Sequence, residues 1–259
     1  MNPMPELDPM LKQLRLSGIL DSLEIRTHQA IDDKLSYTDF LALLLQDETA
    51  RRTNKKLTQR LRKAGVRSNK TIESFDFSFN MDIDKSQIMN LATCIFMSEM
   101  VSVLIVGPCG TGKSHIAQAI GHCAIRQEND VLFTTQAKML SQLHAAHATN
   151  SYERKLKSFI NVDLLIIDDF GLKPLQQPQD EYLHAVIDGR YEKRSTIITS
   201  NLDFDEWGEA FSNKLLGTAT IDRMRHGAYL VTLEGDTFRK PKPLLKTAKS
   251  ALAKGTKKR

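Results

Sequence analysis

The stretch GPCGTGKS at residues 107–114, preceded by the apolar run VSVLIV at 101–106, decides how the rest of this chain reads. It satisfies the pattern G-x-x-x-x-G-K-[ST]. In such a loop the backbone N–H groups turn inward around a polyphosphate, the lysine (Lys113) reaches the β and γ phosphates, and the hydroxyl of Ser114 ligates Mg²⁺. The run before it has the make-up of a buried parallel strand, and GKSHIAQAIGHCAI (112–125) opens a helix whose positive end faces the anion. Gly107, Pro108, Cys109, Gly110, Thr111, Gly112, Lys113 and Ser114 are therefore all expected to line a nucleoside triphosphate, ATP, with Mg²⁺ beside it.

A phosphate loop needs an acid at the end of another buried strand. VDLLIIDDFG (162–171) supplies two, in a Walker B pattern. Asp168 is expected to hold the metal's coordination shell, and Asp169 to orient or deprotonate the attacking water. The alternative is that the two acids merely end a strand. A third apolar run, STIITSN (195–201), ends at Asn201, which is either a polar contact to the water or γ-phosphate or an ordinary turn residue.

With 259 residues and 41% hydrophobic content, the chain is long enough for one large or two small packed domains. No leader-like start and no apolar stretch of spanning length is present, so the expectation is a cytoplasmic protein without membrane contact. Cys94, Cys109 and Cys123 are too few and too scattered for a disulfide framework or zinc site, and the seven histidines show no ligand spacing. Charge is informative by location. Residues 51–70 carry nine Lys/Arg and no acid, and 237–259 carry nine more, also with no acid. The remaining 18 basic residues face all 31 acids, a net of −13. Two basic arms on an acidic body suit a polyanion held at chosen places. The first arm reads as a nucleic-acid contact through Arg51, Arg52, Lys55, Lys56, Arg60, Arg62 and Lys63, because no acids interleave to form the i,i+4 pairs of a merely solvated helix. The second arm is either a contact or a mobile solubilising end.

Along the chain, Leu7 to Leu23 repeat at helical spacing with a break at Ser17-Gly18. A longer helix is expected after Ser36, where S-Y-T-D resembles a capping box with Asp for the usual Glu, and it stops at Gly65. TIESFDFSFN (71–80) reads as an aromatic-anchored connector, either flanking a base or packing, and 84–97 as one helix. Strands and helices then alternate: VLFTT (131–135), AKMLSQLHAAH, YERKLKSFINV, the Walker B run, DEYLHAVIDGRYEKR (180–194), STIITSN and a last strand in AYLVTLEG (228–235). The fold class is α/β, a P-loop NTPase with a parallel sheet flanked by helices, preceded by a small all-helical domain. The expected divisions are 1–70, helical and DNA- or partner-binding; 71–239, ATPase; and 240–259, a basic tail.

GPCGTGKS, LLIIDDFG, RYEKRSTIITSN ahead of WGEAF, IDRMRHGA (221–228) and EGDTFR (234–239) together resemble the AAA+ ATPases. Within these, the chain is similar to the IstB helper ATPases of bacterial transposition, relatives of the helicase loader DnaC. The resemblance implies that Arg223 is an arginine finger for a neighbouring subunit's nucleotide, so that a homo-oligomer completes the site. Taken by itself, without the resemblance, Arg223 reads first as a surface residue paired with Asp222 or a helix end. The resemblance also gives Arg239 a sensor role, although the chain after 239 is short for the lid domain that usually carries one. The Asp-Asp pair departs from the Asp-Glu of most AAA+ proteins and suggests slow, timer-like hydrolysis. The function implied is an ATP-dependent factor that oligomerises on duplex DNA and recruits or activates a transposase. A DnaC-like helicase loader is the alternative, and a small-molecule kinase a distant third, since Asn201 and Arg223 have no evident role there.

Overall fold

The apolar runs form a five-stranded sheet of β1 (Val103–Val106), β2 (Val131–Thr135), β3 (Leu164–Phe170), β4 (Ser195–Ser200) and β5 (Tyr229–Thr232). Their order is β2-β3-β4-β1-β5 and every pairing is parallel. The computed structural model describes residues 7–78, 83–235 and 237–238. Side chains alternate between faces along a strand. Val103, Ile105, Leu164, Ile166 and Ile197 accordingly join one apolar cluster, and Leu104, Val106, Leu165, Ile167 and Ile198 the other. Burial on both faces explains why these strands read as continuous apolar runs rather than alternating ones.

The first face is covered by α4 (Lys85–Ala92), α5 (Ile95–Ser98), α6 (Lys113–Arg126) and the C-terminal half of α3 (Tyr37–Ala64), through Leu91, Phe96, Ile120 and Leu61 among others. The second is covered by α7 (Gln136–Ala148), α8 (Tyr152–Ile160), α9 (Gln179–Arg190) and α10 (Lys214–Arg225), through Leu143, Phe159, Leu183 and Met224. Two elements in this layer escape the sequence reading: α10, and the 3-10 turn Phe204–Ala210 that buries Trp207 against Phe170. The single helix expected over 84–97 is two. Thr93 turns its hydroxyl back to the Asn90 carbonyl (2.6 Å), and Cys94 adopts a left-handed φ of 62° that redirects the chain so that Phe96 is buried. Spacing of apolar residues alone does not register such a one-residue reversal.

The chain begins with α1 (Leu7–Gln13) and α2 (Ser17–Asp32), which lean on the first half of α3 around Leu11, Ile19, Leu23 and Leu44. Ser36 caps α3 by accepting from the Asp39 amide at 3.2 Å, and the short Asp39 side chain takes the Ser36 hydroxyl at 2.6 Å. The helix ends at left-handed Gly65. Where the sequence marked a break at Ser17-Gly18, α2 starts directly against α3, and the buried carboxylate of Glu48 accepts from the Gly18 amide at 2.6 Å and more weakly from Ile19 at 3.4 Å. Burial acts to raise the Glu48 pKa, but Arg52 at 2.6 Å and the two amides outweigh it and hold the carboxyl below its usual range. An acid from α3 thus does the work of an N-cap for α2. Among the described residues no helix is long and apolar enough to cross a membrane.

The close approach at Gly18 gives the first prediction. A Cβ there would stand 2.6 Å from the Glu48 Cα, a backbone atom that a side-chain rotation cannot move aside. Gly18→Ala should destabilise the N-terminal helices by about 1–3 kcal/mol, seen as an early loss of helical circular dichroism in urea, while nucleotide binding survives.

Candidate nucleotide site

The phosphate loop leaves β1 at Val106 and enters α6 at Lys113, so the sheet's C-terminal edge and a helix N-terminus meet there. The loop is held from behind by the chain that follows β5. The Leu233 amide donates to the Val106 carbonyl at 2.8 Å, and the Phe238 amide to the Gly110 carbonyl at 3.0 Å. Gly107 and Gly110 both have positive φ, and a Cβ on either would collide with this segment, at the Leu233 carbonyl and the Thr237 side chain respectively. Phe75, from the aromatic connector, is buried beneath the loop's exit, edge-on to His115 and 5.8 Å from the Phe238 ring. Its role here is packing. Cys109 is exposed on the loop.

Within the loop, the Lys113 ammonium is folded back onto the Gly107 and Pro108 carbonyls at 2.6 and 2.7 Å. Thr111 is buried and donates to the Pro108 carbonyl at 3.0 Å. Ser114 Oγ donates to Asp168 Oδ1 at 2.8 Å, and the same carboxylate oxygen accepts from the Thr199 hydroxyl. Hydroxyl and carboxylate oxygens with no nitrogen or sulfur donor suit a hard cation bound through one or two protein ligands, so Ser114 and Asp168 fit Mg²⁺.

Asp169 occupies the next position on β3 but leaves the ladder. The pairing of β3 with β4 shifts between Ile167 and Phe170, and Asp169 takes a left-handed φ of 59°, which Asp tolerates better than most residues. Its amide donates to Thr199 Oγ1 at 3.1 Å. This bulge aims two consecutive carboxylates at different places: Asp168 towards Ser114, and Asp169 into a cavity of about 660 Å³ that Gln136, His144 and Lys173 also line. Thr199 therefore organises both acids, and the sequence reading missed it. Nothing in STIITSN marks this hydroxyl until the pairing of β4 with β3 is known. Asn201 follows β4, whose Ser200 is in register with Val106 on one side and Phe170 on the other, so it emerges between the phosphate loop and the acid pair.

Arg223 is at the other end of the sheet. It sits in the last turn of α10, just before the chain enters β5, and its Nε pairs with Asp188 of α9 at 3.1 Å rather than with Asp222. Its guanidinium lies 6.0 Å from the Tyr191 ring centroid. Near it, Arg190 is wholly buried and, among the described residues, forms no ion pair with a carboxylate. It donates to Thr196 Oγ1 and to the carbonyls of Phe159, Ile160, Val162, Asp163 and Ser195, stitching the end of α8 to the starts of β3 and β4. Burial pushes its pKa down to about 9, which leaves it charged at neutral pH.

The seven basic residues expected to contact nucleic acid divide three ways. Arg60 and Lys63 turn to the ATPase region and pair with Glu128 at 3.4 Å and Asp130 at 3.6 Å. Lys56 and Arg62 are exposed. Arg51, Arg52 and Lys55 line a cleft beside the start of α2. Arg239 and the tail 240–259 lie outside the described residues.

A parallel sheet in this order, with the phosphate loop after β1 and paired acids after β3, defines a P-loop NTPase of the AAA+ kind. Solved structures of similar fold include AMPPCP-bound DnaA from Aquifex aeolicus (TM-score 0.56, 20% identity, 66% of this chain and 52% of that one) and the DnaC helicase loader (TM-score 0.51, 21% identity, 61% of this chain and 97% of that one). The chain belongs to the family of IstB-like ATP binding proteins, which it matches over residues 9–245. It is 33% identical over 236 residues to a protein of Pseudomonas aeruginosa named as an ATP-binding protein of insertion sequence IS21, covering 91% of this chain and 89% of that one. A Mycobacterium tuberculosis protein named as an insertion-sequence ATP-binding protein is also 33% identical, over 91% of this chain and 94% of its own.

Thr199→Val keeps the shape of the side chain and removes the hydroxyl that serves both acids. ATP turnover should fall by about tenfold, the effect of one lost hydrogen bond to a charged group. Affinity for nucleotide measured without divalent cation should hold, since the hydroxyl touches the acids and not the phosphate loop.

Proposed function

We propose that the protein is an ATP-dependent, DNA-binding regulator of transposition that oligomerises on duplex target DNA and recruits or activates a transposase. The observation that carries this reading is the division of the nucleotide machinery between two edges of the sheet: Lys113, Ser114, Asp168 and Asp169 at one, Arg223 at the other. Insertion-sequence relatives that align over nine-tenths of the chain favour a transposition helper. The likeness to the DnaC loader covers 61% of the chain and speaks only to the fold.

In this reading Lys113 holds the β and γ phosphates, and Ser114 and Asp168 hold Mg²⁺, which neutralises phosphate charge. Asp169 activates a water molecule, with Asn201 as its second contact, and the products are ADP and phosphate. Arg223, and Arg239 as a sensor, add positive charge near the γ-phosphate, Arg223 from the neighbouring subunit. Asp169 is a shorter carboxylate than the Glu usual at this position, so hydrolysis is slow and times disassembly. Residues 1–70 contact DNA or a partner, residues 71–239 form the ATPase, and the basic tail from 240 is flexible. DNA is held by phosphate contacts without base reading, as a chooser of many targets requires, and the protein works in the cytoplasm.

Two variants separate binding from turnover. Lys113→Ala should lose fluorescent-nucleotide binding and the ATP-dependent shift of a DNA duplex together, whereas Asp169→Asn should bind ATP normally and hold DNA in a long-lived complex. Equal loss of nucleotide affinity in both would contradict the assigned roles.

A further inference from the structure

A cleft of about 560 Å³ at the junction of α1, α2 and α3 gathers basic residues that are far apart in sequence. Arg51, Arg52 and Lys55 come from the acid-free run on α3. Lys12 and Arg15 come from the end of α1, where the turn closed by the Arg15 amide on the Lys12 carbonyl (3.1 Å) leaves both at the cleft. Arg52 bridges the two sources: its Nε holds Glu48 and its Nη2 donates to the Arg15 carbonyl at 3.3 Å.

The acids nearby are already committed. Glu48 caps α2 and pairs with Arg52, and Asp21 pairs with Arg51. Five cations against two carboxylates leave a net of +3, and among the described residues Lys12, Arg15 and Lys55 have no carboxylate partner. The Gly18 and Ile19 amides at the start of α2 contribute nothing further, because Glu48 occupies them. Any attraction for an anion comes from the side chains.

We propose that this cleft seats the phosphodiester backbone of duplex DNA, with Lys12 and Arg15 as contacts alongside Lys55. The proposal rests on the DNA-binding reading above and names its docking point. A nucleic-acid backbone is favoured over an acidic protein segment because five of the eight lining residues are Lys or Arg, drawn from two helical elements, a density of positive charge that suits a continuous polyanion better than scattered carboxylates. Arg and Lys heads on separate elements match a ligand whose charge recurs about every 1.7 Å along the duplex axis. The row of cations also continues outward along α3 through Lys56 and Arg62.

Reversal of Arg51 or Arg52 is a poor test, because it would break the Arg51–Asp21 pair between α3 and α2, or remove the partner of the Glu48 carboxylate that caps α2. The informative variant is Lys12→Glu with Arg15→Glu, compared with Lys34→Glu at the opposite end of α2. Fluorescence anisotropy of a labelled duplex is followed through a KCl titration with ATP present, with circular dichroism and nucleotide affinity as controls for folding, and Lys12→Gln with Arg15→Gln as the milder pair. The double variant should weaken binding to every duplex and make the log–log salt slope shallower by about 1.8, or 0.9 for each lost phosphate contact, while Lys34→Glu changes it little. An unchanged slope in a folded double variant, with wild-type protein still binding DNA, would overturn the cleft and leave DNA binding intact. So would an equal loss in Lys34→Glu, which would mean a diffuse charge effect. Loss of transposase recruitment at unchanged DNA affinity would instead give the cleft to an acidic protein. Wild-type protein that does not bind DNA in a salt-dependent way would remove the underlying reading as well.

Discussion

The carboxylate of Asp168, bonded to the hydroxyls of Ser114 and Thr199, ties together the ends of three parallel strands. Ser114 stands on the first turn after β1, Asp168 near the end of β3 and Thr199 near the end of β4, so the contact exists only if the sheet is assembled in the observed order. A buried carboxylate that lost both hydroxyls would be left with an uncompensated charge. The polar contact is therefore made possible by the apolar core beneath it. The bulge that carries Asp169 depends on the same residue, because Thr199 also accepts the Asp169 amide. Thr199 thus helps to place both acids, with Ser114 as the second partner of Asp168.

A parallel sheet has distinct ends, and the site inherits that polarity. The phosphate loop and the acids occupy the C-terminal edge. Arg223 occupies the N-terminal edge, beyond a strand of four residues, about 13 Å long. It is parked there on Asp188 and Tyr191, next to the Arg190 cluster that fixes the starts of β3 and β4. In the proposed assembly each subunit offers a nucleotide at one edge and a cation at the other, an arrangement that corresponds to head-to-tail stacking. Bound nucleotide would then act as part of the interface between subunits.

Much of this was legible in the residues because the signals were local. GPCGTGKS carries its own geometry, apolar runs such as LLII report burial on both faces, and Ser36 and Gly65 punctuate α3. What escaped depends on contacts distant in sequence. The left-handed turn at Cys94 is invisible to periodicity. Helix α10 was noticed only as the family pattern IDRM, since its mix of Lys, Gly and Thr has no clear apolar stripe. Thr199 looks like any threonine in a strand until the neighbouring strand is known. Arg190, inside the motif RYEKRSTIITSN, bonds carbonyls spread from Phe159 to Ser195, which no spacing rule encodes. The acid-free run at 51–70 was plain as composition, yet its division between ion pairs to the ATPase region, outward cations and a cleft shared with Lys12 and Arg15 required the packing of α1 and α2.

The central claim is that the two edges complete one another across subunits, and subunit mixing tests it most directly. A Lys113→Ala subunit lacks a working phosphate loop but keeps Arg223, and an Arg223→Ala subunit has the reverse defect. Each should be nearly inactive as an ATPase alone, and a mixture on DNA should recover hydrolysis, with a maximum near equal proportions. If the subunits are shown to exchange and no ratio restores activity, Arg223 does not act across the interface and the account of a shared site is wrong.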